Sequence, residues 1–375
     1  MFIIVSGRMA IMARLRTIWP VLVAFGVATA FALWRMSAGG WDPMVLAELG
    51  TRYAQGDPDG SEGYDGQFSY YIAVDPNPYS VKEHLDVPAY RYQRILYPIL
   101  ARSLVGGEVN GIPWALLAVN LVAHAIGTWV VVLLLNEGQL WGGYGLIYGL
   151  WVGLIAGIGL QMHEPLAYAL IAVGWLLRRR GRRGLGAIFL GLALFSKETS
   201  LPFWGAALLA DLLDKDNRGS VIGLAASGLA FAGWQVWLWS VFGSPGLGSG
   251  GAMATSFEWI PFMGLWRIGQ VSMTVLGLFV VIFGPTVVLP AIWGVIAGWQ
   301  TIRQSWRQAE PWALLFNGLL IVFLPFSTFR EPLGLLRFST GLVLSVIFFA
   351  VSRGQKKILN YGLFWIPLLV ILVNG

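Results

Sequence analysis

The chain has 375 residues, of which 57% are hydrophobic and only 12% charged, with a mean hydropathy of +0.67 and a formal net charge of +6. That leaves too little polar surface for a water-soluble globule of this size and indicates a polytopic membrane protein. The absence of cysteine excludes disulfides, thiol nucleophiles and Cys-based metal sites, and only His84, His124 and His163 supply imidazole.

Hydrophobic runs able to cross, or nearly cross, a hydrocarbon core of roughly 30 Å fall at residues 18–36, 112–135, 143–160, 164–178, 184–197, 199–213, 220–242, 270–299, 311–328, 335–352 and 358–373. The expectation is an all-α polytopic membrane protein with about eleven transmembrane helices, one integral domain over 1–375, and a long first extracytoplasmic loop at 37–110. In the first run, Arg14 and Arg16 followed by Ala28-Thr29-Ala30 resemble a signal peptide with its cleavage site. The apolar stretch continues through Trp34, which favours an uncleaved anchor, and the start reads as Met1, Met9 or Met12. His124, Asn120, Gln235 and Asn317, inside apolar runs, read as hydrogen-bonding groups at helix contacts.

Charge sets the orientation. With the N-terminus cytoplasmic, the inner loops collect 15 of the 25 Lys and Arg, among them Arg8, Arg14, Arg16, Arg178 to Arg183, Lys215, Arg218 and Lys356, while 14 of the 19 acidic residues fall outside. This is the positive-inside pattern, and it places the acidic chemistry on the extracytoplasmic face of the plasma (inner) membrane.

The outer loop carries YDGQFSYYIAVDP, Tyr64 to Pro76, with Asp65 and Asp75 among aromatic residues. An aspartate here can act as general base if it reaches the hydroxyl it deprotonates, and Tyr64, Tyr70 and Tyr71 suit a carbohydrate or lipid surface. The structural alternative is a turn at Asp65-Gly66 and a helix start at Asp75-Pro76. Further on, the apolar residues of Tyr90 to Val105 recur at helical spacing, interrupted by Arg91, Arg94 and Arg102, which describes an interfacial amphipathic helix. Its arginines either snorkel to lipid headgroups or hold a phosphate through Arg91 or Arg94.

Three charged pairs, His163-Glu164, Lys197-Glu198 and Arg330-Glu331, fall on the same outer side. Together they can form an anion site with acid–base capacity; separately they read as a helix start, a loop salt bridge and an interfacial anchor. A divalent cation at Asp65, Glu164 or His163 suits oxygen and imidazole ligands, although no ligand spacing supports a metal, and no other cofactor or nucleic acid is expected.

The order of these features resembles the GT-C superfamily of membrane glycosyltransferases, and YDGQF and HLDVPAYRYQRILYP look like strings of its small bacterial members. The resemblance implies transfer of a sugar from a polyprenyl-phosphate-linked donor to a glycan or lipid acceptor hydroxyl on the extracytoplasmic face, in cell-surface glycan or glycolipid assembly. It assigns catalysis to Asp65, with Asp75 as runner-up, and the donor phosphate to basic residues drawn from Lys197, Arg330, Arg337, Arg91 and Arg94. Tyr64, Gln67, His163, Glu164, Glu198 and Glu331 are then expected to contact substrate. Against the larger members, no soluble C-terminal domain is expected, and the outer loop shows no Asp-Asp or Asp-Glu pair beside the first span. A transporter or flippase of a lipid-linked saccharide, and a glycan polymerase or ligase, are the alternatives; charges gathered at the outer rim favour the enzyme over the transporter.

Overall fold

The computed structural model describes residues 2–214 and 218–373. Met1, Lys215 and Asp216 lie outside the described residues, as do the side chains of Arg8, Arg14, Arg16 and Arg218. Among the described residues the chain is all-helical, with no strand. Six helices are long and apolar enough to cross a bilayer: Thr17–Ala38, Val109–Glu137, Gly219–Phe242, Met273–Ser305, Pro332–Arg353 and Lys356–Val373. The pair Gly142–Gly149 and Val152–Gly159, bent by 50°, makes a seventh if it is one span. These helices fit a multi-pass membrane protein.

In chain order, the elements that position the site are α1 (Phe2–Ala38), α2 (Gly66–Val74), α3 (Pro88–Tyr92), α4 (Leu96–Leu104), α5 (Ile112–Glu137), α6 (Glu164–Arg179), α7 (Arg183–Ser196) and α8 (Leu201–Leu212). They are followed by α9 (Arg218–Phe242), α10 (Leu289–Ser305), α11 (Ala309–Val322), α12 (Pro332–Phe338), α13 (Thr340–Arg353) and α14 (Lys356–Gly362). Each of the eleven apolar runs is helical, but α6, α7, α8 and α11 contain 16, 14, 12 and 14 residues. At 1.5 Å per residue they extend about 18 to 24 Å, short of a core of about 30 Å. Length alone therefore supports six to seven crossings and leaves the count of about eleven without support from these four.

Short helices put their junctions inside the bundle. Pro165, Pro202 and Pro332 occupy the first turns of α6, α8 and α12, where a missing N–H leaves no helix bond unmade. Around the first two of these prolines the charged residues are carried inward, His163, Glu164 and Lys197 being at most 4% exposed, whereas Arg330 and Glu331 ahead of Pro332 stay exposed.

Residues 37–110 fold into short helices that pack over this end of the bundle. Phe68, Ile72, Leu85 and Tyr92 cluster with Leu238 of α9, while Ala73, Tyr97 and Ala101 cluster with Ile112, Leu116 and Leu166. Each large apolar side chain buried in this way contributes about 1.5–3 kcal/mol of transfer free energy. The expected single helix over Tyr90 to Val105 is instead two, α3 and α4, and its arginines do not snorkel. Arg91 and Arg94 are 7% and 2% exposed, and Arg102 donates to the Ala73 and Val74 carbonyls at 2.8 and 2.6 Å, closing the C-terminus of α2. Of the polar residues inside apolar runs, His124 bonds the Gly149 carbonyl at 2.9 Å and Asn120 the Tyr97 hydroxyl at 2.9 Å. Gln235 bonds Gln93, but Asn317 only turns back to Ala313 of its own helix.

Candidate functional site

The YDG triplet is built to lie against the junction before α6. A Cβ on Gly66 would come within 2.1 Å of the Leu160 carbonyl oxygen, so only glycine lets α2 start there. The Tyr64 amide donates to the Glu48 carbonyl at 2.9 Å, and Glu48 itself holds a left-handed backbone with φ of 48°, a conformation that costs a non-glycine residue about 1–2 kcal/mol. Arg35 of α1 fixes the Glu48 carboxylate. Asp65 occupies the cap position of α2 yet makes no capping bond, although an aspartate at that position ordinarily spends its carboxylate on the helix amides. Here the carboxylate is turned outward to two arginines.

One Asp65 oxygen meets Arg91 Nη2 at 2.9 Å and the other meets Arg337 Nη2 at 3.3 Å. Arg91 is also held by both oxygens of Asp86, at 2.7 and 2.8 Å. Asp86 in turn accepts the Ala252 amide at 3.0 Å, which ties down the Gly251–Ala254 segment. The Arg91 guanidinium lies 4.2 Å from the Phe68 ring centre. Arg337 lies 5.1 Å from that of Tyr64, whose hydroxyl donates to Glu331.

Behind this layer lie two further buried pairs. Arg94 grips Glu198 at 2.8 and 2.5 Å, and Lys197 donates to Glu164 at 2.6 Å. Glu164 also faces Arg337 Nε at 3.7 Å, linking the two layers. His163 shares a 3.3 Å hydrogen bond with Ser69 and packs edge-on against Tyr97.

These groups border a cavity of about 490 Å3 whose wall includes Tyr64, Asp65, Arg91, Arg330, Glu331 and Arg337. Glu62 and Asp86 also reach it, so four carboxylates and three arginines line a space that carries aromatic rings at Tyr53, Phe68, Tyr90 and Phe338. Burial pushes the Asp65 carboxyl up, but Arg91, Arg337 and Arg94 outweigh it and hold the group well below the usual carboxylate range. Asp86 is also held low, burial being offset by its bonds to Arg91 and to the Ala252 and Val87 amides. Among the described residues, no group of three or more His, Asp or Glu is placed to hold a metal ion.

The remaining expected site residues lie elsewhere or are otherwise occupied. Asp75 sits at the far end of α2, about 15 Å along the helix axis from Asp65, where it accepts the Asn77 amide at 2.9 Å and the Ser80 hydroxyl at 2.5 Å. There it closes a local turn and does not line the cavity that Asp65 borders. Gln67 reaches the cavity wall, but its amide is engaged at both ends, by the Gly50 amide at 3.1 Å and the Glu62 carbonyl at 2.7 Å. Lys197, Arg94, His163 and Glu164 do not line the cavity and form its buried backing, together with the partly buried Glu198. Sequence reading missed Asp86, five residues before Arg91, and the Gly251–Ala254 roof. The small-residue string GLGSGGAMATS between two apolar runs was the available signal for the roof.

The fold and cavity define a class, a helical protein whose apolar helices fit a multi-pass membrane protein and whose charged, aromatic-walled cavity lies under a covering loop at one end. The chain matches no protein-family model, and no curated protein or solved structure matches it.

Proposed function

We propose that this chain is a GT-C-like glycosyltransferase. It transfers a sugar from a polyprenyl-phosphate-linked donor to an acceptor hydroxyl of a glycan or glycolipid on the extracytoplasmic face. The observation that carries this reading is the Arg337 guanidinium, which is 8% exposed, borders the cavity, and has neither Nε nor Nη1 in a hydrogen bond. Leaving buried donors unpaired is costly, and phosphate oxygens suit a guanidinium fork. Of the five cations considered for phosphate, Arg91, Arg94 and Lys197 are already matched by Asp86, Glu198 and Glu164. Arg337 has donors to spare, and exposed Arg330 stands on the same wall.

The chemistry follows from this sharing. A donor phosphate that draws Arg337 away removes one of the two cations directly on Asp65 and raises the basicity of the carboxylate once the donor is bound. The acceptor hydroxyl gives its proton to Asp65 as its oxygen bonds the anomeric carbon. The bond from that carbon to the phosphate oxygen breaks, and the charge arriving on the phosphate is taken up by Arg337 and Arg330. Carboxylates, arginines and rings in one cavity also suit sugar hydroxyls and sugar faces.

Eleven crossings belong to the same reading, with a cytoplasmic N-terminus and an extracytoplasmic cavity. That count puts all three charged pairs on the side of the 37–110 loop, in keeping with the contacts Arg94–Glu198, Lys197–Glu164 and Tyr64–Glu331. The buried Lys197–Glu164 pair favours a second reading, a transporter of a lipid-linked saccharide, since ionisable pairs inside a bundle also mark translocation paths.

Purified protein in liposomes supplied with labelled polyprenyl-phosphate sugars and acceptor glycolipids decides between them. Enzyme action predicts released polyprenyl phosphate, with losses of about 10²-fold or more for Asp65→Asn and Arg337→Gln. Full turnover by Asp65→Asn rejects the base, and saccharide movement across the bilayer without bond cleavage selects the transporter.

A further inference from the structure

A second cavity, of about 340 Å3, shares no residue with the first. It lies between α10, α13 and α14, walled by Leu289, Trp293 and Val346, with Tyr361 and Trp365 facing them. The volume falls in the roughly 300–1,000 Å3 range of small-molecule sites. Its location follows from a break in the long helix: a π-turn at Gly284–Val288, followed by Pro290 in the first turn of α10, interrupts the regular ladder.

The wall groups that could bind a polar ligand are already used. The Tyr361 hydroxyl donates to the Pro285 carbonyl, and the Trp365 indole donates to the Thr286 carbonyl at 2.7 Å. Among the described residues lining the space, Lys357 alone is charged, and it is exposed. An apolar slot with one unmatched cation complements an amphiphile that has a hydrocarbon tail and an anionic head.

The surroundings identify the amphiphile. Leu289 is 57% exposed and Phe364 70%, with Ile292 and Ile296 also exposed along α10, so the slot opens onto the apolar outer surface of a membrane-type bundle. α13 begins beside Arg337 at the candidate site and runs 14 residues to Arg353, about 21 Å. Lys356 and Lys357 follow at that far end, where basic residues attract anionic lipid headgroups.

We propose that this slot binds an anionic phospholipid from the leaflet opposite the candidate site, with one acyl chain against Trp293 and Trp365 and the phosphate on Lys357. The proposal does not depend on the glycosyltransferase reading. The test is delipidation of the purified full chain, followed by native mass spectrometry after incubation with phosphatidylglycerol, phosphatidylcholine or a polyprenyl phosphate. Wild type is expected to retain phosphatidylglycerol about fivefold more than phosphatidylcholine of the same chains. Lys357→Ala, at an exposed position, is expected to erase that preference, and Leu289→Trp, which fills the slot from its exposed side, to lower retention of both phospholipids. Equal retention of the two phospholipids by wild type overturns the proposal, as does unchanged retention in Leu289→Trp or stronger retention of polyprenyl phosphate.

Discussion

Asp65 and Arg337 are 272 positions apart in the chain and 3.3 Å apart in the fold. The contact joins the covering loop to the last turn of α12, and Arg91 completes it from the other side of the carboxylate. Removing one partner strands the other beside unmatched charge, whereas removing both relieves it. Asp65→Asn is expected to destabilise by about 1–2 kcal/mol, discounted from the fully buried figure because the Asp65 side chain is 28% exposed. Asp65→Asn combined with Arg337→Gln is expected to cost less than the sum of the two single changes. Thermal unfolding of the four proteins in detergent measures this coupling, and strict additivity refutes a direct energetic link.

The same contacts predict an acid-side dependence of stability. Asp65 has a folded pKa below its unfolded value, so its contribution is fully present above the unfolded value near 3.9 and is lost as pH falls toward the folded one. Wild type and Asp65→Asn are therefore expected to show parallel melting profiles from pH 5 to 8. Below about pH 4 the gap between them narrows. A gap that changes mainly near neutrality refutes the assignment.

Some of this architecture was legible in the sequence. Apolar runs located every long helix, since a run of about 20 apolar residues is a strong signal; the four short helices carry the same composition and differ in length. Asp65 stood out as an acid in a polar island of an apolar chain, but Asp75 stood out equally. The two separate only when the fold shows Asp75 closing its own turn and Asp65 forgoing its helix. Which cation meets which carboxylate was not legible. Arg94–Glu198 spans 104 positions and Lys197–Glu164 spans 33, and such pairings follow from helix packing, which a single sequence does not encode locally.

Gly251 makes the roof testable by a small change. A Cβ there would sit 2.8 Å from Arg91 Nη2 and 3.1 Å from Asp86 Oδ2, inside the pair that holds the segment down. Gly251→Ala is expected to destabilise by about 1 kcal/mol and to speed hydrogen exchange over residues 249–256. Gly184, within α7, has open space around it, so Gly184→Ala should stabilise slightly, by up to about 1 kcal/mol. If both substitutions act with the same sign, crowding at the Asp86–Arg91 pair is not what Gly251 avoids.

Because the chain contains no cysteine, single-cysteine labelling gives a direct test of topology. Asp59 is exposed on the covering loop, and Gln355 is exposed in the turn between α13 and α14. With eleven crossings and a cytoplasmic N-terminus, these two positions face opposite sides of the membrane. A membrane-impermeant maleimide added to intact cells is expected to label Asp59→Cys and to spare Gln355→Cys until the membrane is permeabilised. Labelling of both in intact cells rejects the parity of the span count, because α13 would no longer separate the two compartments. Labelling of Gln355→Cys alone inverts the orientation and places the Asp65 cavity on the cytoplasmic side, where a donor displayed on the outer leaflet cannot reach it.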